Sequence, residues 1–211
     1  MLRQLKEGNF RFVNNLRTSH DFIKQVDATK DGQQPPAVIL SCMDSRTSVE
    51  LIFDQGLGAL FSVRIAGNVI SDSILGSIEY AVAFAGTSLI VVLGHTGCGA
   101  IKGACDDVRS GCLTTVIDKI KPAIESEKTF TENRNSSNAA FVNEVARLNV
   151  QNSVTRILSE SETIRTLIQE GKIGIVPAMY NVATGWVNFY DLIVADTMEV
   201  ERPDKIIATA Q

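Results

Sequence analysis

Two strings of metal-binding residue types each follow a short apolar run, and this arrangement constrains the fold more than any other feature of the chain. The run Ala37-Val38-Ile39-Leu40 leads to Cys42, and the run Leu89-Ile90-Val91-Val92-Leu93 leads to His95 and Cys98. Short apolar runs predict strands that are buried on both faces, as in a parallel sheet. Because an open parallel sheet binds ligands beyond the carboxyl ends of its strands, we expect the two strings to meet at one edge.

The rest of the chain alternates further apolar runs with segments of helical periodicity, which predicts an α/β domain. Additional strands are expected at residues 59–64, 173–180 and 187–192, and helices at about residues 72–86, 113–127, 137–158 and 161–170. Turn residues between the last two strands predict a hairpin-like connection. We therefore expect a mixed, mainly parallel central β-sheet with an antiparallel end, flanked by helices.

The beginning of the chain predicts a helical arm. Apolar residues recur there at helical spacing, at Leu2, Leu5, Phe12, Val13 and Leu16. This pattern predicts an amphipathic helix that ends before residue 18. The Gly and Pro residues of segment 32–36 then break the chain before the first strand. The sequence thus predicts one domain over residues 1–211, with the N-terminal helical arm at about 1–31 and the α/β core at about 32–195.

Charge and hydropathy exclude several classes of partner. The 211 residues include 20 Lys and Arg against 24 Asp and Glu, and no basic block is present to follow a phosphate backbone. No stretch is long and apolar enough to span a bilayer, and the first residues lack the apolar core of a secretory signal. We therefore expect no nucleic-acid or membrane partner and a cytoplasmic location. A periplasmic protein whose signal peptide has been removed is the alternative.

Cys42, His95 and Cys98 supply the side chains of a catalytic metal site. Thiolate and neutral imidazole are ligands that Zn²⁺ favours, and three protein ligands leave its fourth tetrahedral position open to water. Asp44 lies two residues from a ligand, and Arg46 offers the planar fork that binds a carboxylate through two hydrogen bonds. We infer that Arg46 holds Asp44 off the metal; an ordinary surface ion pair is the alternative.

Five segments carry a more specific signal together. They are Gly32-Gln33-Gln34-Pro35, Cys42-Met43-Asp44-Ser45-Arg46, Phe61-Ser62-Val63-Arg64-Ile65-Ala66-Gly67-Asn68, Glu79-Tyr80-Ala81 and Gly94-His95-Thr96-Gly97-Cys98-Gly99. In this order and spacing they resemble the β-class carbonic anhydrases, zinc enzymes that interconvert carbon dioxide and bicarbonate. The resemblance runs over most of residues 1–195. It implies an enzyme that reversibly hydrates CO2 to bicarbonate and a proton, by attack of zinc-bound hydroxide.

The resemblance also implies a role for each matching residue of the two metal-binding strings. Cys42, His95 and Cys98 would bind one zinc ion per chain. Asp44, held by Arg46, would accept the hydrogen bond of the zinc-bound hydroxide and so aim its lone pair at the carbon of CO2.

A substrate pocket is implied by the remaining matches. Gln33 would donate an amide hydrogen bond to a substrate oxygen, and Gly99 would let the chain pass close to the metal. The residues that would form its apolar wall are Phe61, Ala66 and Tyr80. For Phe61 and Tyr80, plain core packing is the alternative on sequence alone. In relatives this pocket lies at a subunit interface, so a homodimer, or a dimer of dimers that makes a homotetramer, is implied.

Two positions depart from the family pattern. Ile65 stands where many relatives carry Asn, which changes the hydrogen bonding behind the pocket without replacing a metal ligand. A subgroup whose zinc is closed by the Asp under the control of bicarbonate needs a Trp where this chain has Ile39, although Arg64 is present. We therefore expect an open, water-bound zinc and no bicarbonate switch.

Two other functions stay open on the sequence. The same zinc site could act on another small molecule such as carbon disulfide, because the ligands do not choose between such substrates. A non-catalytic zinc scaffold would need a fourth ligand, and neither Cys105 nor Cys112 has a metal-like spacing to Cys98. We interpret these two cysteines as ordinary reduced thiols; a disulfide between them in an oxidising compartment is the alternative. His20 is interpreted as a surface residue, and the polar segment 126–138 as a mobile loop.

Overall fold

Five strands form the central sheet of the protein, which a computed structural model describes for residues 1–198. They are β1 (Ala37–Ser41), β2 (Leu60–Arg64), β3 (Leu89–His95), β4 (Gly174–Tyr180) and β5 (Val187–Phe189). Their order across the sheet is β2-β1-β3-β4-β5, with β5 antiparallel to β4 and every other pair parallel. The mixed, mainly parallel sheet predicted from the sequence is therefore confirmed. The part of the predicted domain over residues 199–211 lies outside the described residues.

Helices surround this sheet and include short ones that the sequence did not predict. They are α1 (Leu2–Val13), α2 (Phe22–Thr29), α3 (Val49–Ile52), α4 (Asp72–Ala83), α5 (Gly99–Cys105), α6 (Leu113–Ser126), α7 (Ala139–Glu160), α8 (Glu162–Gln169) and α9 (Ala195–Met198). A single 3-10 turn covers Ala66–Asn68. None of the helices described within residues 1–198 has the length and apolar character needed to cross a membrane.

Local sequence determines where several helices begin and end. The side chains of Asp21, Asn138 and Ser161 accept hydrogen bonds from backbone N–H groups in the first turns of α2, α7 and α8. The first helix was predicted to extend almost to residue 18, but it ends at Val13. Asn15 adopts a left-handed φ of 56°, a conformation that does not continue a right-handed helix.

The sheet separates two apolar cores because alternate side chains of each strand point to opposite faces. Every residue of β1, β3 and β4 is buried. The core on one face combines strand residues such as Val38, Leu40 and Val92 with residues of α4 to α8. On the other face, Ile39 and Val91 pack in a smaller core with Leu5 of α1 and with residues of α3. The N-terminal helix is thus part of the fold rather than an appendage.

Helix α1 docks through a close backbone contact and a buried amide. A Cβ atom on Gly8 would lie 1.8 Å from the carbonyl oxygen of Phe53, so only glycine permits this approach. The side chain of Asn9 donates to Ile52 O at 3.2 Å and to Gly185 O at 2.8 Å. Its Oδ1 accepts a hydrogen bond from the backbone N–H of Val187 at 2.9 Å. These contacts tie α1 to α3 and to the hairpin between β4 and β5.

The segment after α1 folds around the buried carboxylate of Asp54. This side chain accepts hydrogen bonds from Arg11 Nε at 2.6 Å and from Thr18 Oγ1 at 3.0 Å. Burial raises the pKa of Asp54, but its bonds to Arg11 and Thr18 outweigh that effect and leave the pKa below its usual value. The interpretation of His20 as a surface residue is wrong. Its side chain is only 19% exposed, with Nε2 3.6 Å from Asp54 Oδ1 and Nδ1 3.2 Å from Gln25 Nε2.

The segment 126–138, which was interpreted as a mobile loop, is tied down by an ion pair. The carboxylate of Glu127 is fully buried and pairs with Arg134. Glu127 Oε1 also accepts a hydrogen bond from the backbone N–H of Phe130 at 3.1 Å. The Arg134 guanidinium donates to Ile124 O at 2.7 Å and lies over the ring of Phe141. A buried charged pair with this many partners holds its segment in one conformation.

We predict that Gly8→Ala destabilises the protein, although alanine is the better helix former. The new methyl group cannot share space with the Phe53 carbonyl, so α1 must move away from its core at a cost of about 1–3 kcal/mol. Gly103→Ala in α5 is the matched control, because its Cβ would meet Ile117 Cδ1 at an ordinary 3.4 Å. That control should gain about 0.5–1 kcal/mol. Urea unfolding curves measure both changes, and equal stability of the two variants would contradict the docking described here.

Candidate metal centre

The three predicted metal ligands lie at the carboxyl edge of two adjacent parallel strands. Cys42 directly follows β1, and His95 is the last residue of β3. In the register of this pair Ser41 is opposite Leu93, so Cys42 and His95 lie within two residues of each other's level at the same edge of the sheet. Cys98 reaches the same place because it precedes the first residue of α5. The predicted convergence of the two strings is confirmed.

The ligand atoms have the spacing of a tetrahedral metal site. Cys42 Sγ and Cys98 Sγ lie 3.9 Å apart, and both sulfurs and a ring nitrogen of His95 all lie within 4.8 Å of one another. Two thiolates bound tetrahedrally at the usual Zn–S length would lie about 3.8 Å apart. All three residues are buried, so the surrounding protein shields the cluster from bulk water.

His95 presents a free nitrogen to this cluster. Its Nδ1 lies 3.0 Å from the carbonyl oxygen of Thr96, a partner that can only accept. Nδ1 therefore carries the proton, and Nε2 of the neutral ring keeps its lone pair. Nε2 is buried and has no hydrogen-bond partner within the described residues. An orphaned acceptor beside two sulfurs fits a metal cation, and the carbonyl bond fixes the ring as metal-bound histidines require.

A hydrogen bond joins the two sulfurs, with one proton between them. This bond shifts the pKa values of the two thiols in opposite directions. The hydrogen bond with Cys98 is the main cause that lowers the pKa of Cys42, to about 4. The same bond and burial raise the pKa of Cys98. The backbone N–H of Gly67 also donates to Cys42 Sγ, at 3.4 Å. A divalent cation that takes the place of the shared proton allows both sulfurs to ionise.

Asp44 and Arg46 form the bidentate ion pair that the sequence predicted. Arg46 donates from Nε to Asp44 Oδ1 at 2.9 Å and from its terminal nitrogen to Oδ2 at 2.7 Å. This guanidinium holds the pKa of the Asp44 carboxyl well below its usual range, so the group stays ionised at neutral pH. Asp44 Oδ2 is also 3.9 Å from His95 Nε2. The carboxylate thus lies beside the cluster while both of its oxygens are turned to Arg46.

Two further side chains hold the loop that carries these residues. Thr47 Oγ1 lies 2.9 Å from the carbonyl oxygen of Cys42 and 2.8 Å from that of Asp44, and shares its one proton between them. Arg64 donates to the same two oxygens, at 3.2 and 2.6 Å. The sequence analysis missed Thr47 because a lone threonine after the Cys-Met-Asp-Ser-Arg string gives no signal of its own. Its carbonyl partners become apparent only in the folded loop.

The structure separates the predicted pocket residues into two groups. Ala66 and Gly99 lie at the cluster: Ala66 precedes Gly67 in the 3-10 turn, and Gly99 follows Cys98 at the start of α5. Phe61 and Tyr80 instead contact each other edge to face, with ring centroids 6.5 Å apart. The surface around Tyr80 is open to solvent, since Tyr80 is 56% exposed and Phe84, which stacks on it, is 82% exposed.

Gln33 lies at the opposite end of β1 from Cys42. It lines an open groove of about 600 Å³ with residues of α2 and with Leu57 and Gly58, which precede β2. The five residues of β1 span roughly 16 Å. Strand β1 therefore separates Gln33 from the cluster of its own chain, and the role of Gln33 as a substrate ligand at a subunit interface stays a prediction.

Neither remaining cysteine supplies a fourth ligand within the described residues. Cys105 ends α5 and Cys112 precedes α6, and both are free thiols. Burial is the main cause that raises the pKa of Cys105, to about 11. A neutral thiol is a poor metal ligand. The Cys–His–Cys cluster therefore keeps the three-ligand composition of a catalytic site rather than the four-ligand composition of a structural one.

Comparisons with known proteins agree with this geometry. The family profile described as carbonic anhydrase matches residues 37–187. Carbonic anhydrase 2 of Mycobacterium tuberculosis is 38% identical over 191 residues, which cover 87% of this chain and 88% of the relative. The Mycolicibacterium smegmatis carbonic anhydrase is 36% identical over 192 residues, 88% of this chain and 89% of the relative.

Solved structures agree at the level of the fold. A β-carbonic anhydrase of Sordaria macrospora, described as tetrameric, superposes with a TM-score of 0.66 and 27% identity over 80% of this chain and 85% of its own. The Coccomyxa β-carbonic anhydrase, at 21% identity, shares the fold with a TM-score of 0.73 over 92% of this chain and 88% of its own. Together with the family match over the cluster itself, these similarities show that the chain belongs to the β-class carbonic anhydrases.

Proposed function

We propose that Cys42, His95 and Cys98 bind one zinc ion per chain, and that the protein uses it for the reaction of its family, the reversible hydration of carbon dioxide to bicarbonate and a proton. The observation that carries this proposal is the buried Cys–His–Cys cluster with its free His95 Nε2, next to a carboxylate that Arg46 holds aside. Bound zinc with an open position lowers the pKa of water toward neutrality and so supplies a hydroxide nucleophile.

The protein's own residues prepare this reaction in three ways. Cys42 and Cys98 offer sulfur, and the Thr96 carbonyl fixes the tautomer of His95 so that Nε2 faces the metal position. Both sulfurs must stay reduced to bind a metal, which suits a cytoplasmic location. The carbonyl oxygens of Cys42 and Asp44 accept hydrogen bonds from Thr47 and Arg64, so they do not compete for the metal. The donor set therefore matches zinc better than magnesium or calcium, which prefer oxygen ligands.

Asp44 is placed to orient the nucleophile. Its Oδ2 lies 3.9 Å from His95 Nε2, so the carboxylate lies next to the cluster that would hold the zinc ion. Because Asp44 is ionised, it can only accept a hydrogen bond, and it would accept one from the hydroxide that bound zinc supplies and so orient it toward CO2. Arg46 is the positioning residue that keeps Asp44 from taking the open position itself.

The open form of the centre needs no bicarbonate switch in this chain. Ile39 is fully buried in the core beneath α1 and has no polar atom to offer an anion. The Arg64 guanidinium binds the carbonyl oxygens of Cys42 and Asp44. These two hydrogen bonds of Arg64 support the loop conformation in which Arg46 holds Asp44.

A second subunit would complete the substrate pocket. Gln33 lies at the amino end of β1, and Phe61 and Tyr80 form an exposed aromatic surface. We propose that these three residues serve the metal centre of the partner in a homodimer, with Ala66 and Gly99 of the zinc-binding chain on the other side. The exposure of Tyr80 and Phe84 supports an apolar interface there. Such dimers could pair into a tetramer, the state described for the Sordaria macrospora relatives.

We predict that loss of a ligand and loss of Asp44 have different consequences. Cys98→Ser should lose both zinc and CO2 hydration, since a serine hydroxyl is a poor zinc ligand. Asp44→Asn should keep zinc but lower kcat by about 100-fold or more, because its amide has the same shape and no negative charge. Stopped-flow hydration assays and metal analysis measure both effects.

Cys105→Ser is the control for these variants and should keep full zinc and activity, because Cys105 lies outside the cluster. Wild-type protein with one zinc per chain but no CO2 hydration between neutral and alkaline pH would overturn the proposed reaction. Turnover of carbon disulfide would then indicate the alternative substrate, and failure on both molecules would indicate a zinc scaffold.

The proposed sharing of the pocket predicts complementation between two defective chains. A Cys98→Ser chain lacks zinc but supplies Gln33, whereas a Gln33→Ala chain binds zinc but lacks the glutamine. A heterodimer purified through two different affinity tags should recover about half of wild-type activity, because one of its two sites is fully native. If the heterodimer is no more active than the Gln33→Ala homodimer, Gln33 does not act across the interface.

A further inference from the structure

The Cys42 sulfur accepts a hydrogen bond from a backbone N–H that lies outside the two ligand strings. Gly67 donates its N–H to Cys42 Sγ at 3.4 Å, and both residues are buried. A donor at this place stabilises the negative charge of a thiolate and fixes the direction of its sulfur lone pairs. Loss of a hydrogen-bond partner of a metal ligand typically weakens metal binding by about 10–100-fold. The position of Gly67 therefore bears directly on the zinc site.

Gly67 needs help to keep this position. It lies in the middle of the single 3-10 turn Ala66–Asn68, with a left-handed φ of 65° that favours glycine. A Cβ atom there would lie 2.9 Å from Ile120 Cδ1 and 3.3 Å from Ala100 Cβ, so the turn is also packed tightly against α5 and α6. One 3-10 turn has too few internal hydrogen bonds to be stable alone. Side chains from elsewhere must hold it.

Helix α7 provides these side chains in one row. Asn149 Nδ2 donates to Gly67 O at 2.8 Å, Ser153 Oγ donates to Asn68 O at 3.1 Å, and Arg156 donates to Ile70 O at 3.1 Å. Spacings of four and three residues place the three donors on the same face of the helix. Asn149 and Ser153 are both almost fully buried. Only Asn149 bonds to the residue whose N–H contacts the Cys42 sulfur.

We infer that Asn149 is a positioning residue of the zinc site, which acts by holding Gly67 so that its N–H points at Cys42 Sγ. This inference rests on the proposed role of Cys42 as a zinc ligand. Asn149 itself contacts neither the ligands nor the substrate. The chain of contacts runs from the Asn149 amide to the Gly67 carbonyl, and from the Gly67 N–H to the sulfur. No other residue connects α7 to Cys42 by hydrogen bonds among those described.

The first test compares the zinc affinity of two matched variants by competition with a chelator. Asn149→Ala should bind zinc about 10–100-fold more weakly than the wild type. Ser153→Ala loses a hydrogen bond of the same kind, from an equally buried residue, to the next carbonyl along the turn, and should bind zinc about as tightly as the wild type. Asn149→Ser keeps a donor of shorter reach and should lie between wild type and Asn149→Ala. Equal zinc affinity of Asn149→Ala and Ser153→Ala would overturn the inference and leave Asn149 a purely structural role.

A second test begins with the wild-type protein and then compares two variants. In protein loaded with ¹¹³Cd, the Gly67 amide proton should show scalar coupling to the metal through the N–H···S hydrogen bond. Ser153→Ala should preserve that coupling, and Asn149→Ser should weaken it. Absence of the coupling in the wild type would overturn the inference. Loss of zinc binding in Cys42→Ser, measured in parallel, distinguishes failure of this inference from failure of the zinc site itself.

Discussion

The parallel pairing of β1 with β3 is the constraint on which the rest of the protein depends. The register that places Ser41 opposite Leu93 brings Cys42 and His95 to one edge, although they are far apart in sequence. The two strands are buried on both faces, so a slip of one residue would move each side chain into the opposite core, where the packing is made for a different side chain. The energy that holds the metal ligands in place therefore comes from the apolar cores and not from the ligands.

Side chains refine the geometry that the sheet provides. Thr47 and Arg64 fix the loop after β1 by its carbonyl oxygens, and Asn143 Oδ1 accepts the Gly97 N–H at 3.0 Å in the loop after β3. None of these residues needs to touch a metal or a substrate. The two loops would otherwise leave buried backbone groups without partners, which is costly in a closed site. The same bonds that satisfy the backbone thus also orient the ligands.

The sequence predicted the sheet, the ligand set and the Asp44–Arg46 pair because each depends on local patterns that the chain displays directly. It did not predict what depends on tertiary contacts. Segment 126–138 reads as polar, yet the burial of Glu127 with Arg134 orders it. His20 also reads as polar, but the fold places it against Asp54. The role of Gln33 was inferred from its motif alone, and the direction of β1 adds that Gln33 lies at the end of the strand opposite the metal cluster of its own chain.

The spacing of 3.9 Å between Cys42 Sγ and Cys98 Sγ has a consequence for metal selectivity. Divalent copper and nickel ions favour square-planar coordination, whereas the distance between these two sulfurs is close to the roughly 3.8 Å of two thiolates on a tetrahedral zinc ion. To accommodate a flat geometry, the end of β1 or the start of α5 would have to move, and each is packed into the larger apolar core. If the cluster binds zinc as proposed, the packing of its backbone would disfavour metals that require square-planar coordination, even where their intrinsic affinity for sulfur and nitrogen is high.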